Sequence, residues 1–306
     1  MKVLVVGPGA MGSLFAGMLA LGGHEVWLLG RRMEVVDHIR RQGVTILRGE
    51  GRENVPVSAT TDARDVGPVD LVMVCVKAYD TERACVDALP AVGSSTTLLT
   101  LQNGLGNVET IASVVGRERV LAGVTSHGAT LLGPGLVRHA GAGETAIGEL
   151  DGAETERVWG VADALRQAGI QVEISPRVDS LIWGKLVVNA AINPITALLK
   201  VPNGGLLASE DARELMAAVA LEAAGVARAR GVPLPYADPV GRVEAVCRQT
   251  APNRSSMLQD VDRGIRTEID FIDGALAREG ERLGVPTPLC WALTHLVRAL
   301  TTSPAE

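Results

Sequence analysis

Lysine is almost missing from this chain: of its 29 basic residues only Lys2, Lys77, Lys185 and Lys200 are lysine, and the rest are arginine. In a chain that writes its cations as arginine, a lysine inside an apolar segment marks a place where arginine does not serve. What lysine adds is the capacity to lose its proton when desolvated. Other shortages exclude whole classes of function. The formal net charge of -6 argues against a nucleic-acid partner. No run approaches the roughly 18 uninterrupted apolar residues of a membrane span, so no membrane partner is expected. The four cysteines, Cys75, Cys85, Cys247 and Cys290, contain no CxxC pair and sit among apolar neighbours, the pattern of buried thiols in a reducing compartment. Nowhere do His, Cys and carboxylates recur at metal-ligand spacing, and no metal is expected. The first residues, MKVLVVG, enter a strand at once without the apolar stretch and cleavage site of a signal peptide, which predicts a cytoplasmic protein. Internal repeats and low-complexity segments are missing too.

What is present is an ordinary globular composition, 47% hydrophobic and 21% charged over 306 residues, long enough for two domains with cores of their own. The chain opens with a short apolar strand, Lys2 to Val6. Then come Gly7-Pro8-Gly9-Ala10-Met11-Gly12 and a helical run to about Leu21. Strand, GxGxxG and helix in that order form a dinucleotide-binding fingerprint. The first glycine permits the tight turn, the second lets a pyrophosphate approach the backbone, and the third lets helix pack on strand. A second strand, Glu25 to Leu29, ends in Gly30-Arg31-Arg32 where an NAD-preferring protein usually has an acid for the ribose 2′-hydroxyl. Two guanidinium groups there favour the 2′-phosphate of NADP, with a solvated loop pair as the other reading. Val44 to Ser58 suggests a peripheral hairpin. Asp70 to Val76 and Thr96 to Leu101 are buried-type strands with Lys77 and Asn103 just beyond them, where open α/β sheets bind ligands. Val120 to Gly148 is punctuated by glycine and proline and predicts an antiparallel meander extending the sheet. His127 and His139 lie in it, either of them a conceivable proton donor, although a lone histidine near a turn is more often structural. Helix Glu154 to Ala168 and strand Gln171 to Ile174 complete an α/β Rossmann dinucleotide-binding domain over residues 1–176.

Residues 177–306 are predicted to form an all-helical C-terminal domain, with helices over Asp179–Leu199, Ser209–Arg230, Asp238–Arg248, Glu268–Leu283 and Pro288–Leu300. The first contains Trp183 to Leu198, WGKLVVNAAINPITAL. At 100° per residue its spacing of four sets Lys185, Asn189 and Asn193 on one polar seam of an apolar segment. Burying an amine and two amides without partners costs on the order of 1 to 3 kcal/mol each, so the seam must face a ligand, water or matching groups. Pro194 is expected to end or kink this helix. Asn253 to Asp260, NRSSMLQD, reads as a polar stretch. Thr267 and Asp270 have capping-box spacing, which puts Glu268 in a first helical turn, where a dipole-matched surface carboxylate is one account of it.

With these residues in view, the sequence resembles the ketopantoate reductases, the NADPH-dependent 2-dehydropantoate 2-reductases of pantothenate (vitamin B5) and coenzyme A biosynthesis. The resemblance covers nearly the whole chain: GPGAMG, Arg31, VKAYD, LQNGLG, TSHGA, WGKLVVNAAINPITAL, VPNGGL, SSMLQD and TEID. It implies reduction of 2-dehydropantoate to (R)-pantoate, with substrate and nicotinamide meeting in the cleft between a Rossmann domain and a helical domain; the break near Pro176, with the fingerprint on one side and Lys185 on the other, predicts that the domains close for catalysis. It also implies that Lys185 is catalytic and Glu268 supports it, and that Asn103, Asn189, Asn193, Asn203 and Ser256 contact the substrate. Gly7, Pro8, Gly9, Ala10, Met11, Gly12, Arg31, Lys77 and Asn103 would contact NADPH. The departures are small: Pro8 fills a variable fingerprint position, and Gly30 stands where other residues occur. Two alternatives remain, a reductase of a different branched 2-oxo acid or an opine-type substrate, and a noncatalytic NADPH-sensing module. The oligomeric state is open, a homodimer included.

Overall fold

The computed structural model describes residues 1–302. The chain divides into two compact units: Met1–Gln102 with Asn107–Val178, and Asn103–Gly106 with Asp179–Glu306, of which 303–306 lie outside the described residues.

The first unit runs β1 (Lys2–Val6), α1 (Ala10–Leu21), β2 (Glu25–Leu29), α2 (Met33–Gln42), β3 (Val44–Arg48), β4 (Gly51–Val55), β5 (Ser58–Thr60), β6 (Val69–Val74), α3 (Thr81–Ala88), β7 (Val92–Thr100) and α4 (Asn107–Val115). It continues with β8 (Val120–Thr125), β9 (Gly128–Gly133), β10 (Leu136–Gly141), β11 (Thr145–Glu149), α5 (Glu156–Gln167) and β12 (Val172–Ile174). Eight strands form the main sheet in the order β12-β11-β8-β7-β6-β1-β2-β5, parallel except where β11 meets β8. From β1 the chain first builds outward through β2 and β5, then returns to the other side through β6, β7 and β8. The order therefore reverses between β1 and β6, the switch point beyond whose carboxyl ends such sheets bind ligands. Strand β6 ends at Val74, short of the expected Val76, and β7 begins at Val92, earlier than the expected Thr96.

The expected meander is corrected. Only β8 and β11 join the main sheet, while β9 and β10 form a second, four-stranded sheet with the β3–β4 hairpin, in the order β4-β3-β10-β9. The joining pair is β10 parallel to β3, Val137 opposite Ile46, a contact between segments some ninety residues apart that local patterning does not encode. It explains helix α1. This helix packs on β1 and β2 of the main sheet and on β3, β9 and β10 of the small one, so it is covered on opposite sides. That is why AMGSLFAGMLAL is apolar all round and not striped.

The second unit holds α6 (Val178–Leu199), α7 (Glu210–Ala229), α8 (Pro239–Gln249), α9 (Ser256–Asp262), α10 (Asp273–Leu283) and α11 (Pro288–Thr302). Its core gathers Leu186, Val187, Ala190 and Ile195 of α6 with Met216, Val219 and Ala223 of α7 and Leu276, Cys290 and Leu293 beyond. Helix α6 is long and apolar enough by composition to cross a membrane, but 67% of its most apolar 18-residue window is buried inside the protein, as in a core helix. Pro194 does not end it. The helix continues to Leu199 and stops where Lys200 takes a left-handed φ of 55°, with Val201 N donating to Thr196 O at 3.3 Å. Residues 190–197 are all buried, and packing holds the helix through the missing proline donor.

Two further corrections concern the segment before α10. NRSSMLQD is not an open stretch, because its second half is the start of α9, N-capped by Ser255, whose Oγ accepts from Leu258 N at 3.1 Å. Nor does a helix begin at Glu268: Ile269–Phe271 is a 3-10 turn and α10 starts at Asp273. The capping box fails because the Asp270 carboxylate is engaged by Arg266 at 3.0 Å and by Arg298.

Asp273 itself is 0% exposed, and neither carboxylate oxygen has a hydrogen-bond partner among the described residues. Burial, joined by the charge of Glu222, pushes its pKa well above the ordinary value. A carboxyl raised on folding contributes fully below its unfolded pKa and loses that contribution as pH rises through the folded one. Asp273→Asn, which carries no titrating proton, should therefore gain stability relative to the parent protein as pH rises from acid to mildly alkaline. Urea unfolding of both proteins at acid and alkaline pH measures this, and a difference independent of pH would contradict it.

Candidate active site

The dinucleotide loop is built by close approaches. Gly7 has φ +102°, a left-handed value, and its N–H donates to Leu29 O at 2.9 Å, tying the end of β1 to the end of β2. A Cβ on Gly12 would collide with the Gly7 carbonyl oxygen, whereas one on Gly9 would meet nothing within 4 Å. The open side of the loop is thus at Gly9. Helix α1 begins there with no side-chain cap and no acidic residue in its first turn, leaving its first N–H groups for an anion. These features fit a dinucleotide pyrophosphate. The two departures from the family pattern pack on each other, since a Cβ at Gly30 would lie 2.8 Å from Pro8 Cγ. The proline ring occupies the room that glycine leaves.

Lys77 follows β6 and caps the short turn Ala78–Asp80, with Asp80 N donating to Lys77 O at 2.8 Å. Gln102, which the sequence did not single out, fastens the ends of β6 and β7. Its Nε2 donates to Val76 O at 2.7 Å and to Thr81 Oγ1 at 2.9 Å, and its Oε1 accepts from Thr100 Oγ1 at 2.9 Å. Arg31 lies on the surface with Nη2 2.8 Å from Asp80 Oδ2, and Arg32 is 3.9 Å from Glu34.

His127 is not exposed as an acid. Its Nδ1 is 2.9 Å from His139 Nε2, and Arg48 Nε donates to His139 Nδ1 at 3.3 Å. Burial first, then the neighbouring His139 and Arg48, pushes the His127 pKa down, and its Nε2 is buried without a hydrogen-bond partner among the described residues. This is the environment of a neutral, structural imidazole.

In the helical unit, α6 carries Lys185, Asn189 and Asn193 as the spacing predicts. Asn103, whose segment belongs to this unit, joins the seam: Asn189 Nδ2 lies 3.5 Å from Asn103 Oδ1, and Leu105 N donates to Phe271 O at 2.8 Å. Glu268 is 7% exposed, so the surface-carboxylate account does not hold. Burial lowers the pKa of half-buried Lys185 to about 8, while the Glu268 charge acts in the opposite direction. The contest that sequence left open is won by desolvation.

Two supports of Lys185 were not legible in the sequence. Tyr236 OH donates to Gly184 O at 2.8 Å, and a Cβ at Gly184 would meet Pro235 at 2.7 Å, so the Pro235–Tyr236 segment rests on the turn that carries the lysine. The adjacent serines separate cleanly. Ser255 is buried, 2.7 Å from Thr196 Oγ1 of α6, which anchors α9 and leaves Ser256 exposed at its first turn. Asn203 is turned toward the segment before α9. Its N donates to Asn253 O at 2.9 Å, its Nδ2 to Thr250 Oγ1 at 2.9 Å, and its Oδ1 is buried without a partner among the described residues. Asn193 is 6% exposed. Among the described residues no group of three or more His, Cys, Asp or Glu is arranged to hold a metal ion.

Residues 3–152 match the ketopantoate reductase PanE/ApbA family, and residues 177–301 match the family of its C-terminal domain. A 2-dehydropantoate 2-reductase of Halobacterium salinarum is 40% identical over 299 residues, spanning 97% of this chain and 98% of that one. The crystal structure of a PanE/ApbA family ketopantoate reductase from Ralstonia eutropha superposes with a TM-score of 0.90 at 37% identity, covering 98% of both chains. A D-mandelate dehydrogenase in ternary complex with NADH and anilino(oxo)acetate superposes at 0.92 with 29% identity, again over 98% of each. The two family matches together span most of the chain, which belongs to the ketopantoate reductase family.

Proposed function

We propose that this protein reduces 2-dehydropantoate to (R)-pantoate with NADPH, a step of pantothenate and coenzyme A biosynthesis. The observation that carries the reading is a single lysine, its pKa lowered to about 8, on a seam with Asn189 and Asn193 and under the influence of the buried Glu268. A bound nicotinamide would supply the hydride that adds to the keto carbon. The carbonyl oxygen becomes an alkoxide, which needs a proton and hydrogen-bond donors aimed at it. Lys185 as the ammonium gives the proton, and a pKa near 8 puts it close to the pH at which a general acid works best. Glu268 keeps the lysine protonated against its burial. The Nδ2 groups of Asn103, Asn189 and Asn193 are donors for the developing oxyanion and the substrate's own oxygens, and exposed Ser256 is a further hydroxyl for its carboxylate. Asn203 supports the site by bracing the segment ahead of Ser256.

Cofactor recognition divides between the two ends of the dinucleotide. Gly7 to Gly12 and the start of α1 take the pyrophosphate, and Arg31, with Arg32, takes the 2′-phosphate. Lys77 completes the cationic lining beyond β6. A second reading, a different 2-oxo acid with NADH, is favoured by the likeness to the D-mandelate dehydrogenase complex. A panel of 2-oxo acids assayed with both nucleotides decides between them. Fastest oxidation of NADPH with 2-dehydropantoate supports the proposal, and a higher kcat/KM for another acid or for NADH overturns it.

A further inference from the structure

A carboxylate at the end of the second strand is what an NAD-binding loop uses to hold the ribose 2′-hydroxyl. In this sequence the position holds Gly30 and Arg31, yet a carboxylate stands beside it in space. Asp80 Oδ2 is 2.8 Å from Arg31 Nη2, with the Asp80 side chain 29% and the Arg31 side chain 58% exposed. Asp80 comes from another element, the turn Ala78–Asp80 beyond β6. Strands β2 and β6 flank β1 on either side, so the loops after both converge over the Gly7 loop, and a residue from one meets a residue from the other.

An ion pair this exposed adds little to stability and exchanges readily. What it does is occupy a guanidinium that a phosphate would use, and place a negative charge next to where that phosphate would sit. We propose that Asp80 competes with the 2′-phosphate of NADPH for Arg31 and so sets how strongly the protein discriminates NADPH from NADH. The proposal rests on Arg31 as the 2′-phosphate partner. With a 2′-hydroxyl bound, Arg31 stays on Asp80. With a 2′-phosphate bound, Arg31 must leave it, and the carboxylate remains nearby to repel the dianion. Discrimination is therefore weaker than the arginine alone would give. Specificity is a difference of affinities, and Asp80 subtracts from one side of it.

Calorimetric titration of the intact protein with 2′,5′-ADP and with 5′-AMP isolates this end of the cofactor from the chemistry. The parent protein should prefer 2′,5′-ADP. Asp80→Asn, which keeps the shape and removes the charge, should tighten 2′,5′-ADP by about three- to tenfold at low salt and leave 5′-AMP unchanged, a gain that shrinks as salt is added. A preference for 2′,5′-ADP in the parent, with no tightening or a weakening in Asp80→Asn, overturns the competition alone and makes Asp80 a support for Arg31. A parent protein that binds both nucleotides alike, with Arg31→Ala indifferent, overturns the placement of the 2′-phosphate and this proposal together.

Discussion

Lys185→Ala is expected to lower kcat by two to four orders of magnitude while leaving the fold and NADPH affinity nearly intact. The magnitude is that of a lost general acid, about 10² to 10⁴. The fold should survive because alanine is the best helix former and the change removes a cation that burial disfavours. NADPH affinity should survive because, of the residues expected to contact it, Gly7 to Gly12, Arg31 and Lys77 belong to the other unit and only Asn103 shares the unit of Lys185. Glu268→Ala should also slow turnover, since it removes the charge that keeps Lys185 protonated. If the two act as one unit, the double variant falls less than the product of the single losses. Steady-state kinetics at saturating 2-dehydropantoate and NADPH read this out. Retention of most turnover by Lys185→Ala would remove lysine from the proton-transfer step.

The second large effect is on cofactor choice. Arg31→Asp replaces attraction to a 2′-phosphate dianion by repulsion and sets a second carboxylate beside Asp80, now without its guanidinium. NADPH should weaken by about a hundredfold or more, the loss of a charge-assisted bond plus like-charge repulsion. NADH should change far less, because a hydroxyl neither needs the guanidinium nor is repelled. Fluorescence titration of both nucleotides measures the ratio, and equal weakening would place the 2′-phosphate away from Arg31.

The sequence exposed those parts of the site that rest on local rules. Gly7 to Gly12 is legible because a turn, a close approach and a helix start each demand glycine within six residues. Lys185, Asn189 and Asn193 are legible because helical periodicity alone puts them on one seam, and the structure keeps all three on α6. What failed or stayed hidden depends on neighbours distant in the chain. For Glu268 the local pattern left a surface carboxylate open, and only the resemblance gave it a role; the 3-10 turn and the packing of the helical unit bury it. The partnership of Asn103 with Asn189 links positions 86 residues apart, and that of Arg31 with Asp80 positions 49 apart. The meander prediction failed because β3 chose β10 as its parallel neighbour, and neither strand's own pattern says so. Pro194 does not end its helix because the burial of residues 190–197 outweighs a local breaker.

The pH dependence of kcat/KM for NADPH-driven reduction of 2-dehydropantoate tests the central claim most directly, because it reports the free enzyme's essential acid. Lys185 must be protonated to donate, so activity should be level on the acid side of about pH 8 and fall above it with the slope of one proton. Glu268→Gln removes the influence that raises this pKa, so its alkaline limb should move to lower pH. A parent profile level well beyond pH 8, or a limb unmoved in Glu268→Gln, would contradict the account in which a desolvated Lys185, held charged by Glu268, delivers the proton.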